Sequence, residues 1–130
     1  MKLELVTEGE LSILEVIWKQ GTPTSHEIAT AIHQQVTDSK IASVQKLLER
    51  LEAKGCVGRD RRERAHRFHT LVSKEDFLQD RLRALADRHC GGELAPLVTT
   101  LLRSKGISKK NRNELRQLID ELWPSKKQTP

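Results

Sequence analysis

The sequence predicts a mainly α fold with one small β-hairpin, and two observations carry this. Apolar residues recur at helical spacing in six stretches, each opened by a capping residue or closed by Gly or Pro. One stretch, between Gly55 and Ser73, breaks that period and reads as two short strands around a basic turn. At 130 residues, 36% of them hydrophobic, the chain suffices for one ordinary domain or two very small ones.

Thr7 and Glu10 form the T-x-x-E capping box of a first helix, roughly 8–20, with Leu11, Ile13, Leu14, Ile17 and Trp18 as its apolar residues and Gly21 as its stop. Pro23 breaks the chain. Thr24 and Glu27 repeat the box for a second helix, roughly 25–35, whose stripe is Ile28, Ile32 and Val36. The polar turn Thr37-Asp38-Ser39 caps a third helix that runs to Lys54, with Val44, Leu47, Leu48 and Leu51 inward, and Gly55 ends it. Cys56-Val57 then leads into Arg59-Asp60-Arg61-Arg62-Glu63-Arg64, and Ala65 to Val72 reads as the returning strand. Helix, helix, helix, hairpin is the order of a winged helix-turn-helix. Three more amphipathic helices follow: Ser73 to Gly91-Gly92, Leu94 to near Gly106, and a last one capped by Ser108 and ended by Pro124. The expected organisation is therefore a winged domain over 1–72, a helical dimerisation region over 73–124 and a frayed tail over 125–130.

Composition removes several classes. Seven Gly and four Pro exclude fibrous and low-complexity chains. No apolar run approaches the ~18 residues of a membrane span. Glu4 and Glu8 interrupt the start before a secretory signal can form, so a cytoplasmic chain without membrane insertion is expected. Cys56 and Cys90 are too few for a disulfide framework and read as small core residues. Aromatics are 3% with no Tyr, which disfavours a base-stacking platform and leaves duplex DNA as the better partner for a basic chain of net charge +5. That charge is uneven: residues 1–39 carry two bases and six acids, whereas residues 40–72 carry nine bases and four acids.

The basic stretch coincides with the third helix and the hairpin. A major groove admits a helix whose N-terminal side chains reach base edges. Ser39 and Lys40 open this helix, and its exposed side presents Ser43, Lys46, Arg50 and Lys54, with Gln45 at the edge. Gln45 suits a bidentate contact to adenine, and Lys46 a guanine or a phosphate. Arg59, Arg61, Arg62, Arg64 and Arg67 on the hairpin suit phosphates or a narrow minor groove. No catalytic centre, cofactor or metal site is expected. The cysteines form no C-x-C or C-x-x-C, His66 and His69 point to opposite faces of a strand, and no phosphate-binding loop is present. The helices after Ser73 cannot bury their apolar faces alone, so a second copy of the chain is the simplest partner. Phe77, Leu97, Leu101, Leu115, Leu118 and Leu122 are the expected dimer contacts.

Three segments resemble the penicillinase-repressor family of bacterial winged-helix regulators. Glu10 to Trp18 is similar to the family's E-x-x-I-L-x-x-I-W opening. Ser43 to Gly55 resembles its [ST]-V-x-x-L-L-x-R-L-x-x-K-G stretch, the most specific motif, and Leu71 to Phe77 its L-V-S-x-x-x-F. The resemblance implies a homodimer that binds a palindromic operator in double-stranded DNA and represses transcription. It further implies C-terminal helices that hold the dimer and, in members controlling β-lactam resistance, derepression through a membrane sensor and proteolysis. Copper-responsive relatives carry C-terminal C-x-C motifs, which this chain lacks. The bond cut in β-lactam members lies between Asn and Phe, where this chain has Thr100-Leu101, and Lys46 stands where Thr is common. The alternative reading, a winged-helix adaptor that binds protein instead of DNA, leaves the basic stretch without a purpose.

Overall fold

The computed structural model describes residues 6–104 and 106–124. Its elements are α1 (Glu8–Gln20), α2 (Ser25–Ile32), α3 (Asp38–Ala53), β1 (Val57–Asp60), β2 (Arg67–Thr70), α4 (Lys74–His89), α5 (Ala95–Arg103) and α6 (Lys109–Leu122). The fold is mainly helical with one two-stranded antiparallel sheet.

Hydroxyl caps set the helix starts. Thr7 and Thr24 both complete the reciprocal capping box, their hydroxyls accepting from the Glu10 and Glu27 N–H groups and the glutamates accepting from the threonine N–H groups. Thr37, Ser73 and Ser108 cap α3, α4 and α6 in the same way through their hydroxyls. α3 ends at a left-handed Gly55, φ +79°. There the Gly55 N–H donates to Glu52 O (3.0 Å) and the Cys56 N–H to Leu51 O (2.9 Å), a Schellman closure that turns the chain directly into β1.

Two elements are shorter than the sequence indicates. α2 stops at Ile32 instead of near residue 35, because His33 is extended (φ −113°, ψ 141°), and Val36 reaches the core from the following loop. β2 covers Arg67–Thr70 instead of Ala65 to Val72. The polar residues between Asp60 and Arg67 have no apolar alternation to pair across a ladder, so they form the turn at the tip of the hairpin. The register runs from Val57 opposite Thr70 to Asp60 opposite Arg67. The loop between α1 and α2 adds a third edge that the sequence does not announce. Pro23 O accepts from the Phe68 N–H at 2.9 Å, and Thr24 bridges Arg67.

One core holds these pieces together. Ile13, Leu14 and Ile17 of α1, Ile28 and Ala29 of α2, and Val44, Leu48 and Leu51 of α3 meet Cys56, Val57 and Phe68 of the hairpin region. The core continues past residue 72. Trp18 Nε1 donates to Val72 O (2.9 Å), and its ring lies 5.5 Å from that of Phe77. Phe77, expected at a dimer contact, is instead buried within its own chain, because the first turn of α4 packs against α1. Arg81 extends this seam, donating to Val6 O at 2.7 Å with its guanidinium over the Phe77 ring.

Beyond that seam burial nearly ceases. Ala86 is buried, but α5 and α6 bury no residue. Leu78, Leu82 and Leu85 of α4, Val98, Leu101 and Leu102 of α5, and Leu115, Leu118, Ile119 and Leu122 of α6 are exposed, as is Trp123, at 72%. A groove of about 970 Å³ opens along α4 and α5, lined by Leu82, Leu85, Leu94, Leu97, Val98 and Leu101 among others. No helix among the described residues is long and apolar enough to cross a membrane. The segment 125–130, expected to be a frayed tail, lies outside the described residues.

Candidate nucleic-acid interface

α3 is amphipathic because its apolar residues fall on one stripe. Val44, Leu48 and Leu51 face the core, and Leu47 is half-buried beside them. The opposite side leaves Ser39, Ser43, Gln45, Lys46 and Arg50 exposed, and Lys40, one turn before Val44 on the apolar stripe, is half-exposed at the start of the helix. The Ser43 hydroxyl donates to Ser39 O (3.1 Å), which leaves its oxygen free to accept from outside.

The other cations of the basic stretch divide sharply. Lys54, read as part of the exposed side of α3, turns inward: its Nζ lies 2.6 Å from Glu10 Oε1 and 2.8 Å from Oε2. Arg59 lies in β1, before the turn of the hairpin. Its Nε donates to both oxygens of Glu52 (3.1 and 3.2 Å), and its guanidinium covers the Phe68 ring at 4.8 Å. Arg67 bonds Thr22 O (2.9 Å) and pairs at 3.4 Å with Glu27 and with Glu63. Arg62 folds back on Asp60, with Nη2 to Oδ2 at 2.7 Å. The Arg62 side chain and backbone N–H together hold the Asp60 carboxyl down to about 2.

Lys40, Lys46, Arg50, Arg61 and Arg64 make no ion pair with any described residue. Lys40, Lys46 and Arg50 belong to α3, and Arg61 and Arg64 to the turn of the hairpin. A cleft of about 390 Å³ separates the two, lined by Gln45 and Glu49 on one side and Arg64, His66 and Phe68 on the other. Counting bases along the sequence overlooks their acidic partners. Glu52 sits seven residues before Arg59 across a tight turn, and Glu10 is brought to Lys54 only by the packing of α1 on α3.

No group of three His, Cys, Asp or Glu that could hold a metal occurs among the described residues. His66 Nδ1 lies 3.3 Å from Arg59 Nη1, and the His69 ring lies over Gly58. Cys56 is buried, and burial pushes its thiol above the ordinary range. Cys90 is half-buried at the C-cap of α4.

Comparison with known proteins gives a consistent picture. The chain is 24% identical over 127 residues to a penicillinase repressor of Bacillus licheniformis, covering 98% of each chain. It is 21% identical to the penicillinase repressor of Staphylococcus aureus (90% and 92% covered) and 20% identical to the methicillin resistance regulatory protein MecI of Mammaliicoccus sciuri (89% and 94%). The solved structure of a MarR family protein from Bacillus stearothermophilus is similar in fold, with a TM-score of 0.50 at 20% identity over 91% of this chain and 73% of that one. The sequence profile of the penicillinase repressor matches residues 6–121, nearly the whole described chain, and on that match the protein belongs to the penicillinase repressor family of transcriptional regulators.

Proposed function

We propose that the protein is a homodimeric repressor that binds a palindromic operator in duplex DNA, each chain placing α3 in a major groove and its hairpin as a wing on the flanking phosphates. The observation that carries this reading is the cleft between α3 and the hairpin, where Gln45 of the exposed side of α3 faces Arg64 of the turn, together with Lys46, Arg50 and Arg61, which are exposed and make no ion pair with any described residue. Phosphate contacts supply affinity and position, and side chains at the start of α3 read bases. The exposed leucines of α4 to α6 support a second copy as the dimer partner, since contiguous apolar surface of this extent marks an interface. Two chains related by a two-fold axis then meet two half-sites related by the same axis.

Derepression through a membrane sensor and proteolysis would require α5 to open first. Thr100 and Leu101 lie inside that helix, with the Thr100 hydroxyl bonded to Pro96 O at 2.8 Å. The deciding experiment is a gel shift and footprint on the DNA upstream of the protein's own gene. Two protected half-sites about one helical turn apart support the reading. A chain that shifts no duplex at low salt overturns it in favour of a protein-binding adaptor.

A further inference from the structure

We propose that Arg59 is a positioning residue and not a DNA contact: through Glu52 and Phe68 it fixes the wing against α3. The proposal rests on the DNA-binding reading above. One guanidinium engages three parts of the structure. Its Nε lies between the two oxygens of Glu52, in the last turns of α3. Its face covers Phe68, the residue opposite it in β2. Its Nη1 reaches His66, on the returning arm of the turn. Phe68 is itself anchored, at 3% exposure, in the core. Only Arg supplies this combination, a planar fork for a carboxylate with a face that stacks on an aromatic ring.

The wing needs such a fixture. A two-stranded hairpin is marginally stable by itself. Arg61 and Arg64, the cations of the wing without an acidic partner, lie beyond the ladder that ends at Asp60 and Arg67. α3 and the wing act as two linked binding modules, and linkage adds affinity only while the geometry holds both in register. A wing that pivots on β1 keeps all of its charges and still loses binding. Glu52 also neutralises Arg59, so this guanidinium adds little field at a phosphate.

Two variants decide the matter because the rival roles predict opposite signs. Glu52→Gln should lower operator affinity about tenfold, the scale of one charge-assisted bond, and make the slope of log affinity against log salt shallower as the wing arginines leave their phosphates. If Arg59 instead bound phosphate, the same change would free it, raising affinity and steepening the slope by about 0.9 per chain. Arg59→Lys keeps the charge but loses the fork, and should match Glu52→Gln. Hydroxyl-radical footprints of both variants should lose protection at the operator flanks and keep it under α3, a pattern that a general loss of stability does not produce. Circular dichroism confirms that each variant is folded at the assay temperature. Equal or tighter binding by Glu52→Gln, or wild-type binding by Arg59→Lys, overturns the role given to Arg59 alone. A wild-type chain that binds no duplex overturns the DNA-binding reading and this proposal with it.

Discussion

Lys54 and Glu10 join opposite ends of two packed helices: the ammonium at the C-cap of α3 lies within 2.8 Å of both oxygens of a carboxylate in the first turn of α1 that has no exposed surface. Lys54→Met keeps the aliphatic stem and strands the Glu10 charge. Breaking a fully buried pair costs about 3–5 kcal/mol, and partial exposure of Lys54 lowers the expectation to about 1–3 kcal/mol. Urea unfolding measures it, and a loss under about 0.5 kcal/mol would reduce the pair to an ordinary surface contact.

The same pair makes the fold sensitive to acid. Burial pushes the Glu10 carboxyl upward, but hydrogen bonds from Lys54 and from Thr7 outweigh it and hold the group below the ordinary range. A carboxyl with a depressed folded pKa stabilises fully above its unfolded value, about 4.3 for Glu, and that stability is lost as pH falls through the lower folded value. Glu10→Gln should therefore unfold with a flatter dependence on pH below about 4.3 than the wild type. Parallel curves for the two proteins would count against the assignment.

Base reading should depend on Gln45 and Lys46, both exposed on α3. Alanine at either position is expected to lower discrimination between operator and random duplex by about 1–3 kcal/mol, with a smaller effect on random DNA. Competition binding with both duplexes measures the ratio. Equal losses on the two would assign these side chains to phosphate.

The wing arginines should not be equivalent. Arg61→Ala with Arg64→Ala removes two cations that have no acidic partner, and should make the salt slope shallower by about two units per chain. Arg62→Ala removes a cation already held by Asp60, so its slope should change by clearly less than one unit. A change for Arg62→Ala of more than half that of the Arg61/Arg64 double variant would reverse this ranking.

Leu118→Asp places a charge in the exposed apolar stripe of α6. If that stripe is covered by a second chain, the variant should sediment as a monomer, bind the operator at least tenfold more weakly and leave the winged half folded. A wild-type chain that is monomeric at micromolar concentration removes the dimer from the proposed function.

The helices were legible in the sequence because their signals are local: Thr7 with Glu10 and Thr24 with Glu27 mark two starts, and Gly55 marks the end of α3. The C-terminus of α2 is not legible, because Val36 continues the helical spacing while reaching the core from a loop. The chain's division of its cations was not legible. Composition counts Lys54, Arg59 and Arg67 as surface charge, whereas their partners Glu10, Glu52 and Glu27 reach them through packing and turn geometry. The place of Phe77 after Ser73 groups it with the later helices, whereas the approach of Trp18 draws it into the core of the winged domain.

Trp18 and Trp123 are the chain's two tryptophans, and there is no tyrosine. One indole is bonded to Val72 O at the edge of the core, and the other stands in solvent at the end of α6. Intrinsic fluorescence thus has two emitters in contrasting surroundings, one half-buried beside the winged core and one exposed in the single chain at the end of α6. Replacing either by Phe isolates the other. Unfolding of the N-terminal core and the proposed covering of the C-terminal apolar face by a second chain then become separate optical signals in an unlabelled protein.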